Sequence, residues 1–230
     1  MNTVASRTAA GSAIAQGEET LEEANPEALA ALLAARCGGP RSIVAIAGAP
    51  GSGKSTLAAE LVAELGRAGR PGAVLVPMDG FHFDDAVLEA RGLKARKGAP
   101  ETFDVAGFAV LLQRIRSGED AIAIPVFDRS LEISRAGARI VQADQPIVVV
   151  EGNYLLLDRS PWDALAPYFD RTIFIDVPET VLRERLIRRW LDLGFDPEAA
   201  RARAEGNDLV NARLVMSASR AADRVWRPAG

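Results

Sequence analysis

The run Gly48-Ala49-Pro50-Gly51-Ser52-Gly53-Lys54-Ser55-Thr56 carries the spacing GxxxxGK[ST]. Its glycines let the backbone curl so that successive N–H groups face an anion, and a helix placed behind it adds its positive end. A lysine at this position reaches the β- and γ-phosphates of a nucleotide, and the following hydroxyl suits Mg²⁺. All nine residues are therefore candidates for binding ATP, with Lys54 also a candidate for the chemistry and Ser55 for the metal. Of the 27 basic residues only Lys54, Lys94 and Lys97 are lysines. Where arginine serves nearly everywhere else, a retained lysine marks either a place that wants a compact charge, such as a phosphate, or a solvated loop position.

Two acids follow apolar runs. AVLVPM ends in Asp79, and IVVV ends in Glu151. In a parallel sheet both emerge at the carboxyl ends of strands, the edge where the phosphate loop sits and where ligands bind. Transfer of a phosphoryl group to an alcohol needs a carboxylate near the hydroxyl, Mg²⁺, and positive charge over the moving group. Asp79 is assigned as base or orienting group, its other readings being a strand-end cap or a water-mediated Mg²⁺ contact. Glu151 is assigned to the metal through bound water, its other reading being a hydrogen bond to the phosphate loop, and the two acids can exchange roles. Asp128-Arg129 lies at a third strand end, as an ion pair organising an acceptor pocket or as direct contacts. Asp176, after TIFI, reads as a cap or turn residue.

The stretch Asp79-Gly80-Phe81-His82-Phe83-Asp84-Asp85 holds the sole histidine of the chain. A histidine metal site wants companions that are absent, so His82 reads as part of an acceptor wall or as loop packing. From Glu179 to Asp192, ETVLRERLIRRWLD turns Val181, Leu182 and Leu186 inward and crowds Arg183, Arg185, Arg188 and Arg189 on the rest. Most such arginines form a solvated face. Arg188 and Arg189, near the break at Gly194 and Pro197, are the candidates for charge delivered by a hinged lid, ahead of Arg185. Asn207 and Asn211 stand four apart on the next helix, to bond across the lid or to face water.

These residues need elements to hold them. Asn25-Pro26-Glu27 is a helix start, with Gly38-Gly39-Pro40 as its stop. Short β-branched runs at Ile43–Ala47, Ala73–Val76, Ala121–Val126, Ile147–Val150 and Thr172–Val177 lack strict alternation, as strands covered on both faces do. Helical patterns intervene at about 54–65, 105–117, 162–168, 179–192 and 197–220. The expected fold is α/β, a five-stranded, mostly parallel sheet with helices on both faces and a helical lid at about 185–210. Residues 79–104 form a long stretch without clear periodicity, a candidate acceptor-binding insertion.

A chain of 230 residues suits one domain, here 21–230 behind a loose tail at 1–20. A net charge of −4 argues against a general nucleic-acid surface. The lone Cys37 excludes an internal disulfide and reads as helix-end packing. With no leader-like or membrane-length apolar segment, the chain reads as cytoplasmic, with no membrane partner.

GAPGSGKST, then MDGFHFDDAVLEARGLKARKGAPETFD, PVFDRSLE, VVVEGNYLLL, LIRRW and Ala222-Asp223, in that order, resemble the P-loop kinases that include uridine kinase, phosphoribulokinase and bacterial pantothenate kinase. Within that family the chain most resembles a bacterial branch provisionally described as a fructose transport system kinase or as nucleoside/nucleotide kinase-like. The resemblance covers roughly residues 40 to 226. It implies a three-layer P-loop NTPase fold and transfer of the γ-phosphoryl of ATP, with Mg²⁺, to a hydroxyl of a small molecule. Family members often form homodimers, which leaves one open here. The resemblance puts the acceptor-side base on Asp79 and the strand-end E-G on Glu151 and Gly152. It puts the entrance to the acceptor pocket on Lys97, Gly98, Pro100, Phe103 and Asp104, and the lid arginines on Arg188 and Arg189. With His82, Asp128 and Arg129 read from the residues themselves, Lys97 and Asp104 complete the expected substrate residues. Pantothenate kinases carry a histidine-tyrosine loop where this chain has PVFDRSLE, so the acceptor region departs from theirs. A sugar leads as acceptor, with a nucleoside or pantothenate-like molecule as alternatives. The remaining alternative is a regulatory NTP-binding or NTPase module, for which the sequence has no N-K-x-D motif and no hydrolytic D-E pair.

Overall fold

The computed structural model describes residues 19–21, 25–36, 41–67 and 72–228. Cys37, the stop at Gly38-Gly39-Pro40 and most of the expected tail lie outside the described residues. Glu19 and Thr20 of that tail belong to a short strand, β1 (Glu19–Leu21). Helix α1 (Pro26–Arg36) starts as read, the Asn25 side chain accepting from the Ala28 N–H at 2.8 Å. Strand β2 (Ser42–Gly48) runs into the phosphate loop and helix α2 (Lys54–Leu65), followed by β3 (Ala73–Pro77).

The insertion is built of short pieces. A 3₁₀ turn at Met78–Phe81 precedes α3 (Asp85–Ala90), and two more 3₁₀ turns cover Lys94–Arg96 and Pro100–Thr102. Then come α4 (Val105–Arg116), β4 (Ile122–Asp128), β5 (Ile133–Val141) and β6 (Ile147–Gly152). A 3₁₀ segment over Trp162–Tyr168 leads to β7 (Arg171–Ile175). Helices α5 (Glu179–Asp192), α6 (Pro197–Arg203) and α7 (Leu209–Ala218) form the lid region, and β8 (Arg224–Trp226) ends the fold.

Four of the five expected strands form one contiguous part of a parallel sheet, β7-β2-β6-β3, which β8 and β1 extend beyond β7 to six in the order β1-β8-β7-β2-β6-β3. The run at Ala121–Val126 is corrected: it forms β4, which pairs antiparallel with β5 in a separate hairpin. That hairpin shields the open edge of the sheet, Arg139 donating to the Leu75 carbonyl of β3 at 2.6 Å. An edge strand's unpaired groups need such cover.

The continuous apolar runs have the expected cause, since β2 and β6 are buried on both faces. Ile43, Ala45 and Ala47 join Val148 and Val150 in one core with Phe108, Leu112 and Ile115 of α4. Val44 and Ile46 join Ile147 and Val149 in the other, with Leu29 and Leu33 of α1, Leu57, Leu61 and Leu65 of α2, and Leu182 and Leu186 of α5. The result is a three-layer α/β fold with helices on both faces. No helix among the described residues is long and apolar enough to cross a membrane.

Candidate active site

Strand register assembles the site. Ile46 of β2 and Pro77 of β3 both lie opposite Glu151 of β6. The phosphate loop, Asp79 and Glu151 therefore leave the sheet together, at its carboxyl edge, as expected for a doubly wound sheet. In the loop Gly51 (φ +79°) and Gly53 (φ +94°) are left-handed, a conformation that costs glycine nothing. Gly53 heads α2 without any side-chain cap, so the first N–H groups of that helix remain to receive an anion. The Ser52 hydroxyl is buried there without a partner, and space is open beside Gly53. Lys54, 8% exposed, folds its ammonium onto the Ala49 carbonyl at 2.9 Å. Burial pulls its pKa down to about 8, against the pull of Glu151 and Asp79 in the other direction. A buried cation with only a carbonyl contact beside uncapped amides is a site that fits a phosphate chain.

Ser55 Oγ donates to Glu151 Oε2 at 3.3 Å. Glu151 is buried, and burial together with the nearby Asp79 charge raises its pKa. A positive ion would reverse that cost. The donors are oxygen only, one hydroxyl and one carboxylate, a set that would suit Mg²⁺. Among the described residues no cluster of three or more His, Cys, Asp or Glu makes a metal site by itself.

Asp79 stands in the 3₁₀ turn beyond β3 and receives the Arg129 guanidinium at 2.7 Å. His82 Nδ1 faces the Asp79 carbonyl at 2.9 Å. A carbonyl only accepts, so that nitrogen carries the proton. The ring lies between Phe103 and Phe127, centroids 4.0 and 4.8 Å away, and burial lowers its pKa. Lys97 spans the same wall, bonding Asp85 and the Glu132 carbonyl at 2.8 Å each, 5.1 Å from the centre of the Phe127 ring. The β4–β5 hairpin closes over this turn, the Ser134 hydroxyl donating to the Gly80 carbonyl.

Asp79, His82, Lys97 and Arg129 thus come together beside Lys54 and Glu151. Asp104 and Asp128 do not face them. Asp104 caps α4, accepting from the Gly107 N–H at 2.9 Å. Asp128 organises the hairpin turn through the Ser130 N–H and hydroxyl and Arg135. It makes no pair with its neighbour Arg129, which turns to Asp79 instead. Asp176 pairs with Arg227 at 3.1 Å, a turn role as read.

In the lid, Arg188 and Arg189 are both exposed; Arg189 contributes to the field at Lys54 and lies 5.6 Å over Trp190. Arg185, ranked below both from the sequence, comes within 3.4 Å of the Gly51 carbonyl of the phosphate loop. Its neighbour Leu186 packs beneath Gly51, and that inward periodicity was the available signal. Two further residues passed unnoticed. Asp85 pairs with both Lys94 and Lys97, and Tyr154 buries its ring and donates to the Gly98 carbonyl at 2.6 Å.

The family model described as "Phosphoribulokinase / Uridine kinase family" matches residues 43–206, from β2 to the turn that follows α6. The chain is 39% identical over 191 residues to the uncharacterized protein YggC of Escherichia coli (strain K12), covering 80% of this chain and 77% of that protein. It is 37% identical over 159 residues to pantothenate kinase of Bradyrhizobium sp. (strain BTAi1 / ATCC BAA-1182), covering 66% of this chain but only half of that enzyme. A crystal structure from Silicibacter sp. TM1040, provisionally described as a fructose transport system kinase, aligns with a TM-score of 0.83 at 44% identity, over 88% of this chain and 99% of that one. With the phosphate loop, the strand-end acids and the first two lid helices falling inside the matched residues, the chain belongs to the phosphoribulokinase / uridine kinase family of P-loop kinases.

Proposed function

We propose that this protein moves the γ-phosphoryl group of ATP to a hydroxyl of a small metabolite, a sugar. The observation that supports the reading most is the convergence of Lys54, Ser55, Glu151 and Asp79 at one sheet edge, with Arg129 on Asp79. The phosphate loop amides and Lys54 hold the phosphate chain. Ser55 and Glu151 hold Mg²⁺, which when bound neutralises charge on the phosphate oxygens. Asp79 takes the proton of the attacking hydroxyl, oriented by Arg129, while His82, Lys97 and Phe127 line the acceptor side. Arg185 and Arg189 bring positive charge to the transferring group as the lid closes. Arg188, Asp104 and Asp128 support the site from further out, through the lid surface, the α4 cap and the hairpin turn. The insertion at 79–104 and the lid at 185–210 are on this reading the two mobile walls of one domain.

A sugar is favoured because the acceptor wall is densely ionic, with Arg129, Lys97, Asp85 and Glu132, a lining that hydrogen-bonds a polyhydroxyl compound, and because of the Silicibacter protein's description. ATP consumption measured against sugars, nucleosides and pantothenate tests this. Turnover stimulated by a sugar is the expected result. Stimulation only by a nucleoside or pantothenate transfers the reading to that acceptor, and uniformly slow hydrolysis favours a regulatory NTPase module. Asp79→Asn is expected to lower transfer about 10²- to 10⁴-fold while ATP still binds. Equal transfer by the variant removes Asp79 as the base.

A further inference from the structure

The lid and the acceptor wall meet at Asn207. Its Nδ2 donates to the Lys97 carbonyl at 2.9 Å, and its Oδ1 accepts from Asn211 Nδ2 at 3.3 Å. The first bond fixes the orientation of the amide, because the Lys97 carbonyl can only accept, and Asn211 must then donate to Oδ1. Asn207 lies in a single π-helical turn, Ala204–Asp208, inserted between α6 and α7. Such single turns are rare and are frequently found at functional sites.

Contacts run from Asn207 in both directions. The next residue, Asp208, accepts from Trp190 Nε1 at 2.7 Å, and Trp190 directly follows Arg188 and Arg189 on α5 and lies under the Arg189 guanidinium. On the other side, the Lys97 ammonium sits over Phe127 in the acceptor wall. The adjoining Gly98 carbonyl holds the Tyr154 hydroxyl, three residues beyond Glu151. The Lys97-Gly98 segment is therefore gripped between the lid and the turn that follows β6, the strand carrying Glu151.

We propose that Asn207 is a positioning residue that couples lid closure over the nucleotide to ordering of the acceptor wall, residues 94–104. The inference rests on the phosphotransferase reading above. A kinase that transfers to an alcohol rather than to water gains from a lid that closes only against an assembled acceptor wall, because closure is what excludes water. The coupling is reciprocal: whatever orders one side favours the other by the same factor.

Hydrogen exchange on the full chain, with and without Mg²⁺ and the non-hydrolysable analogue β,γ-imido-ATP, tests this without knowledge of the acceptor. In the wild-type protein the nucleotide is expected to slow exchange across the lid and, about tenfold, across residues 94–104, within the usual range of coupling between sites. Asn207→Asp sets a carboxylate against the Lys97 carbonyl in place of a donor. It is expected to keep the slowing in the lid and lose it in 94–104. Asn207→Ser, too short to reach the carbonyl, repeats the test without a new charge. A purely structural asparagine would alter basal exchange without separating the two segments. Undiminished slowing of 94–104 in both variants overturns the proposal, as does a wild-type protein whose lid responds while its acceptor wall does not. If neither segment of the wild type responds, nucleotide binding itself fails, and the coupling falls with it.

Discussion

Lys54 is the residue whose environment makes the sharpest demand. Its ammonium is buried against a carbonyl, and its pKa falls to about 8. Phosphate selects the protonated form, so ATP affinity is expected to fall as pH rises above about 8, by up to about tenfold per unit. Calorimetric titration from neutral to about pH 9.5 checks this against Lys54→Arg, whose charge persists and whose pH profile is expected to be flat. The sign for stability is opposite. The unfolded chain holds the proton over a wider range, so the cost of burying this charge is present below about pH 8 and relieved above it. His82 is a simpler case, a neutral ring packed between two phenylalanines. His82→Ala is expected to raise the acceptor KM roughly five- to tenfold, about 1 kcal/mol, with ATP affinity little changed. An unchanged KM would remove His82 from the acceptor wall.

At the scale of elements, the insertion is held by caps and short turns rather than by a long helix or strand. Asp84 caps α3, and Asp104 caps α4. Asp104→Ala is expected to destabilise the protein by about 1 kcal/mol. In urea denaturation this is read as a lower midpoint at unchanged slope. Unchanged stability with loss of acceptor affinity would return Asp104 to the substrate contacts that the family pattern implies. The β4–β5 hairpin is the element the sequence misplaced. A run such as IAIPVF reads alike whether its strand lies in the central sheet or in an antiparallel pair, since both bury β-branched residues, Ile122 and Ile124 here. Its partner, ISRAGARIV, is mostly exposed and rich in arginine, which hid it as a strand. The lid was far more legible: α5 runs from Glu179 to Asp192 as expected, and the pattern read over 197–220 holds α6, the π turn and α7.

For the whole molecule, nucleotide and metal are expected to act on opposite sides of one balance. Burial, and after it the nearby Asp79 charge, raise the Glu151 pKa, and Lys54 opposes this only in part. Chelation of Mg²⁺ is therefore expected to abolish transfer while leaving the fold intact, and restoring Mg²⁺ with ATP to raise the melting temperature above that with either alone. Calorimetric melting in the four conditions measures this. A melting temperature independent of Mg²⁺ in the presence of ATP would detach Glu151 from the metal.

The sequence alone determined the phosphate loop, the two strand-end acids and the layered α/β architecture, because each is a local matter. Spacing of glycines, a helix behind them, and doubly buried strands all leave their signature within a few residues. The partners of each charge were decided only by the tertiary structure. Arg129 left its neighbour Asp128 for Asp79, fifty residues away, Asp104 was taken up by a helix cap, and Arg185 reached the phosphate loop that Arg188 does not touch in the same way. Long charged side chains choose among several partners according to distances set by packing, and periodicity along one chain segment carries no record of those distances.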